Sequence, residues 1–169
     1  MDETSALIEP HIPALRRYAW ALLRDGEGAD DLVQDCLERA LSRWHLRWRE
    51  GDMRAWLFAI LHNLFIDGLR RRSSEGLRVE LDQLPDLAAP AADPETRIVM
   101  RDVLEGLETL PPEQKAVLLL VCVEDLSYEA AARVLGVPVG TVMSRLSRAR
   151  EKLRRAVTTP GAPRLRRVK

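Results

Sequence analysis

The residues best placed to do chemistry lie between positions 127 and 155. Val142, Leu146, Ala149 and Leu153 recur at spacings of four, three and four, so on a helix they form one apolar stripe. Thr141, Ser144, Arg145, Arg148, Lys152 and Arg155 take the remaining surface, and residues 141 to 169 hold ten Lys or Arg against one acid, Glu151. The chemistry on offer is recognition: guanidinium and ammonium groups hold phosphate oxygens and displace condensed counterions. A solvated basic helix face would share this composition, but the preceding turn separates the two readings. Ser127 to Leu135 is Ala-rich and helical in pattern, Gly136 suits a helix C-cap, and Pro138 presets φ at the start of the next helix. Two short helices around a tight turn, the second one basic, point to a DNA-binding helix-turn-helix.

Nothing comparable points to catalysis. His11, His45 and His62 stand in separate segments without metal-ligand spacing, no glycine-rich phosphate loop is present, and no Ser or Cys nucleophile has a base partner in view. We therefore expect no enzyme, no catalytic residue, no metal and no cofactor. Cys36 and Cys122 are the only two cysteines, each in an apolar helical pattern, and are expected as core or half-buried thiols.

The elements that must position the basic helix follow from composition and periodicity. A chain of 169 residues, 46% apolar and 31% charged, suits one medium domain or two small ones. Aromatic residues are 5% and no long segment alternates with period two, which predicts an all-α protein. The formal net charge of zero conceals an asymmetry: residues 1 to 140 carry 16 basic and 25 acidic groups, giving −9, against +9 for residues 141 to 169. One end thus suits an anionic polymer and the other surfaces suit basic or protein partners. The N-terminus lacks a signal-peptide pattern, and the longest apolar run, Ala116 to Val123, is too short to span a bilayer, so a cytoplasmic location without membrane insertion is expected.

Three helices are predicted in the first 72 residues. Leu7 to Leu22 keeps helical spacing until Asp25-Gly26-Glu27-Gly28 interrupts it, a second helix runs from about Ala29 to Arg43, and a third follows Asp52, a candidate cap, to Arg72. Between the last two lies a tryptophan- and arginine-bearing loop, Trp44 to Asp52. Residues 73 to 97 carry six acids against two bases with several prolines, the composition of a flexible linker. Helical pattern resumes at Ile98, breaks at Pro111-Pro112, and continues from Glu113 to Val123 into the helix-turn-helix. The expected organisation is two small helical domains, 1–72 and 98–158, joined by the acidic linker 73–97 and followed by a basic tail, 159–169.

With these motifs in place, the chain resembles the extracytoplasmic-function (group 4) sigma factors of bacterial RNA polymerase, built from a sigma-2 domain, a linker and a sigma-4 domain. The likeness rests on Asp30-Asp31-Leu32-Val33-Gln34-Asp35-Cys36-Leu37-Glu38-Arg39-Ala40, on Arg54 through Arg71 including His62-Asn63-Leu64-Phe65-Ile66-Asp67, on Leu110-Pro111-Pro112-Glu113-Gln114, and on Gly136 through Arg150. Four motifs in this order, with a linker between the second and third, are far more specific than any one of them.

The resemblance implies docking on core RNA polymerase, through its largest and second-largest subunits, with Asp31, Gln34 and Asp35 at contact positions for the largest. Asp30 and Asp31 would also favour a helix first turn through its dipole, so both roles are open. It implies that Asn63, Asp67, Arg70 and Arg71 serve the minus-10 element together with the loop that contains Trp48, which either stacks on a flipped base or covers the domain's edge. It implies that Thr141, Met143, Ser144, Arg145, Ser147 and Arg148 face the minus-35 element in promoter DNA. Met143 stands where a basic residue is common in the family, and Ser147 where a larger side chain can stand. An anti-sigma factor is the implied regulator. Competing readings are an autonomous helix-turn-helix regulator, which would not need the Asp31 to Asp35 helix, and a sigma-like decoy that binds an anti-sigma protein without starting transcription, which should lack a complete basic recognition helix.

Overall fold

A computed structural model describes residues 3–46, 51–75 and 93–158, with side chains to residue 156. Among these residues every regular element is helical, and they form two helical domains. Trp48, most of the acidic linker and the basic tail lie outside the described residues.

The first expected helix is divided. Helix α1 (Glu3–Ile8) passes through a 3-10 turn (Glu9–His11) into α2 (Ile12–Leu23), because Pro10 and Pro13 each remove a backbone donor where a continuous helix would need one. Helix α3 (Gly26–Ser42) starts three residues before Ala29. The Asp25 carboxylate accepts from the backbone N–H groups of Glu27 and Gly28 and so draws both glycines into the first turn instead of leaving them as a break. A 3-10 turn (Trp44–Leu46) leads towards α4 (Met53–Ser74), where Asp52 is the cap, its carboxylate accepting from Arg54 N–H at 3.0 Å. Trp44 and Trp56 meet edge to face at 6.2 Å, which half-buries Trp56 as a packing residue.

Helices α2, α3 and α4 pack on one another around Leu15, Tyr18, Val33, Cys36, Leu57, Phe58 and Leu61. Tyr18 and Phe58 stand perpendicular at 5.3 Å. Full burial of each large side chain is worth about 1.5–3 kcal/mol, so this cluster is what holds the outward faces of α3 and α4 in place.

Helix α5 (Pro94–Glu108) begins four residues ahead of Ile98, within the segment expected as linker, since Asp93 caps it at 2.7 Å from Thr96 N–H and Pro94 occupies the first turn. Helix α6 (Pro112–Leu118) runs on as a π turn (Leu119–Val123), and then α7 (Tyr128–Leu135) and α8 (Val139–Thr158) form the helix-turn-helix. Helix α8 is the hub of this domain, packing against α5, α6 and α7 through Val142, Leu146 and Ala149, all nearly or wholly buried. Leu153 continues the stripe. It lies so close to Gly106 that a Cβ there would come within 2.5 Å of its Cδ1, so the absent side chain lets α5 and α8 approach. Cys36 is buried as expected, but Cys122 is exposed, a correction that follows from the π turn carrying it outward.

Candidate nucleic-acid interface

The turn of the helix-turn-helix is built as its residues dictate. The Ser127 hydroxyl accepts from Ala130 N–H at 3.1 Å to start α7, and Gly136 ends it at φ 65°, a left-handed conformation costly for any residue with a Cβ. The Pro138 carbonyl then accepts from Thr141 and Val142 N–H, opening α8.

The six residues predicted for base and phosphate contact fall into two neighbouring strips of α8. Thr141, Ser144, Arg145 and Arg148 form one, at three- and four-residue steps; Met143 and Ser147 form the other. Ser144, Ser147 and Arg148 are exposed, Met143 is 52% exposed, and Thr141 and Arg145 are half-buried. The Ser144 hydroxyl donates to the Thr141 carbonyl at 3.1 Å, the local bond a helical serine makes when no ligand competes for it. Beside Met143 and Ser147, a shallow groove is lined by Tyr128, Leu146, Arg150, Glu151 and Arg154. Glu151, the one acid of the basic segment, sits between Arg154 and Arg155 at 2.9 Å from each.

In the first domain, Asp31, Gln34 and Asp35 are all exposed on the side of α3 opposite Ala29, Val33, Cys36 and Ala40. Gln34 Nε2 donates to Glu38 at 3.1 Å, so the acidic face is also held laterally. Asn63, Asp67, Arg70 and Arg71 are exposed along one side of α4 at steps of four, three and one. Four of the five residues expected to meet the minus-10 element therefore share a surface, and the fifth, Trp48, lies outside the described residues.

Sequence reasoning missed the contact between the domains. Helix α4 packs on α7, and Glu124, fully buried at its carboxylate, receives Arg17 Nε and Nη2 at 2.9 and 2.8 Å and Arg54 Nη2 at 3.0 Å. The Glu124 hydrogen bonds raise the Arg17 pKa, which outweighs its partial burial. Glu108 makes a second junction, 3.5 Å from Arg24 Nε and 3.1 Å from Lys115 Nζ. One sign of this was in the chain: Glu124 closes the apolar run Ala116 to Val123, and an acid at the end of such a run must either reach water or find cations.

His62, next to Asn63, points the other way. It is buried, its Nδ1 lies 3.1 Å from the Tyr18 hydroxyl, and burial, aided by the positive charge of Arg145, holds its pKa down to about 4. Among the described residues no cluster of His, Cys, Asp and Glu could hold a metal ion, and no helix is long and apolar enough to cross a membrane.

Two family models match the chain in the order the motifs suggest: one described as the Sigma2 domain of PhyR over residues 8–62, and one described as Sigma-70, region 4 over residues 100–153. The chain is 35% identical over 162 residues to the ECF RNA polymerase sigma factor SigE of Mycolicibacterium smegmatis, covering 91% of this chain and 61% of SigE. It is 35% identical over 151 residues to the ECF RNA polymerase sigma factor EcfG of Rhodopseudomonas palustris, covering 89% of this chain and 83% of EcfG. Among solved structures, the sigma factor RpoE in complex with the anti-sigma factor NepR from Bartonella quintana superposes with a TM-score of 0.78 at 30% identity, over 91% of this chain and 96% of that one.

Proposed function

Because the chain belongs to the extracytoplasmic-function RNA polymerase sigma factors, we propose that it joins core RNA polymerase in the cytoplasm and brings it to promoters through minus-10 and minus-35 elements. The transcribing chemistry is then the polymerase's own. Region 1–72 serves core docking and the minus-10 element, 98–158 the minus-35 element, and 73–97 connects them. The observation that carries this reading is the joint exposure, on one molecule, of an acid-and-amide face on α3, a polar and basic face on α4 and a basic face on α8. An autonomous DNA-binding regulator would need only the last.

The residue roles follow from chemistry. Asp31, Gln34 and Asp35 offer carboxylate and amide groups to a basic surface of the largest subunit. Asn63 has an amide suited to a base edge, and Arg70 and Arg71 track the backbone of an opened strand. On α8, Arg148 and Arg145 hold phosphate or guanine, Thr141 and Ser144 supply short polar contacts, and Met143 and Ser147 give apolar or close approach. An anti-sigma factor is the proposed regulator, as the likeness to a sigma factor solved with NepR supports.

The sigma-like decoy gains one supporting observation, since the N-terminal match is to a domain of PhyR, a protein of Bartonella quintana solved as an anti-anti-sigma factor in complex with the anti-sigma factor NepR. The intact basic face of α8 speaks against it. A pull-down of core RNA polymerase with the wild type and with Gln34→Ala/Asp35→Arg, followed by run-off transcription from a promoter library, separates the readings. Core binding lost in the variant and promoter-dependent transcripts from the wild type are expected. DNA binding without core binding would leave the autonomous regulator, and neither core binding nor transcripts, with an anti-sigma protein still bound, would favour the decoy.

A further inference from the structure

Helix α8 treats its basic residues in two ways. Arg148 and Lys152, on the strip that begins with Thr141, are exposed and have no ion-pair partner among the described residues. Arg154 and Arg155 are just as accessible, with side chains 68% and 75% exposed, yet both are held by one carboxylate. Glu151 Oε1 accepts from Arg154 Nη2 and from Arg155 Nε, each at 2.9 Å, and its Oε2 accepts from Arg154 Nε at 3.1 Å. A lone surface ion pair contributes little, but a bidentate arginine joined by a second guanidinium is the geometry in which such pairs hold. The same two arginines keep the Glu151 carboxyl below its ordinary pKa, Arg154 more than Arg155, so the clasp is fully formed at neutral pH.

Position decides what the clasp does. Arg155 stands 14 positions beyond Thr141, or about 21 Å along the helix axis. A recognition helix meets base edges with its N-terminal residues, in a major groove about 12 Å wide, so its last turn lies over the sugar-phosphate backbone. Arginines there can add phosphate contacts, which strengthen binding to any sequence and distinguish none. We propose that Glu151 is a positioning residue that clasps Arg154 and Arg155 along α8, keeps two guanidiniums out of sequence-independent phosphate contact, and leaves the contacts nearer the bases to set affinity. The inference deepens the reading of α8 as a DNA-contacting helix and rests on it. To reach a phosphate, either arginine must first give up a carboxylate that bonds it in the same way, an exchange with little net gain, and the carboxylate left behind repels the backbone.

The test uses the full chain with Glu151→Gln, with Arg154→Ala/Arg155→Ala, and with all three changes together. Fluorescence anisotropy reads affinity for a labelled random-sequence DNA duplex across a salt series, and circular dichroism confirms that the helices persist. Each phosphate neutralised adds about 0.9 to the slope of log affinity against log salt. Glu151→Gln, which releases two guanidiniums from the carboxylate, should therefore steepen the slope by about one to two and tighten binding severalfold. With Arg154 and Arg155 already replaced by alanine, the same change should leave the slope where it was. A slope unmoved by Glu151→Gln in the otherwise wild-type chain overturns the proposal. An equal steepening without the two arginines overturns it as well, since Glu151 would then act as a bare repelling charge and not as a clasp. Both of those outcomes leave the reading of α8 standing, whereas duplex binding by the wild type that is absent or indifferent to salt would sink that reading and this inference with it.

Discussion

His62 gives the packing of α4 on α2 a thermodynamic signature. Its imidazole is buried beside Tyr18 and within reach of the Arg145 charge, and stays neutral down to about pH 4. In the unfolded chain it titrates near its ordinary 6.5. Between those values the unfolded chain binds a proton that the native chain refuses, so stability is full above 6.5 and declines as pH falls towards 4. From about pH 7.5 to about pH 5 the loss attributable to this one residue is about 2 kcal/mol. With a urea slope of about 2 kcal/mol per molar, the unfolding midpoint should drop by about 1 M more in the wild type than in His62→Gln, which keeps a hydrogen-bonding group for Tyr18 and has no proton to bind. His11, whose pKa is also lowered by burial and by Arg54, adds to the decline in both proteins and cancels in the comparison. Equal drops in the two proteins, or a native His62 ring titrating by NMR at or above pH 6, would refute the reasoning.

Thiol chemistry should separate the two cysteines. Cys122 is exposed, whereas Cys36 is buried, donates to the Leu57 carbonyl at 3.5 Å and has its pKa pushed up by burial to about 12. A chromogenic disulfide reagent should therefore react promptly with one thiol per native chain and with the second only on unfolding; two prompt thiols would contradict the packing. Gly136→Ala should lower stability by about 1–2 kcal/mol, read as a fall in Tm, because φ of 65° forces the new Cβ against the backbone. Arg148→Ala should weaken duplex binding and reduce the slope of log affinity against log salt by about one, and an unchanged slope would mean that Arg148 holds no phosphate. Leu57→Ala, at a site with no exposure, should cost about 2–5 kcal/mol in urea unfolding.

Local chemistry was far more legible in the sequence than long-range pairing. Gly136, Ser127 and the Val142, Leu146, Ala149 stripe act as their types and spacing suggest because caps, turns and helix faces are decided within a few residues. The starts of α3 and α5 were misplaced for a related reason. Gly26-Glu27-Gly28 and Pro94 look like breaks, yet an aspartate just upstream of each turns them into first-turn residues. The division of α1 from α2 was legible in Pro10 and Pro13, but the unbroken spacing from Leu7 to Leu22 hid it. Arg17, Arg54 and Glu124 could not be connected, since they lie 107 and 70 positions apart and, although Glu124 closes an apolar run, neither arginine has a local pattern that distinguishes it from a solvated charge.

The ion-paired charges at the domain contact all lie outside the basic segment 141 to 169. Residues 1 to 140 are net acidic, and within them arginines of the first domain, Arg17, Arg24 and Arg54, meet acids of the second, Glu108 and Glu124. Closure therefore uses neither the acidic face of α3 nor Arg148, and both remain exposed. If α3 is the polymerase-docking face, it is available while the domains are in contact, as are Ser144 and Arg148 of α8. A partner that separates the domains has to supply cations for Glu124, which would lose both its arginines, whereas Glu108 would keep Lys115.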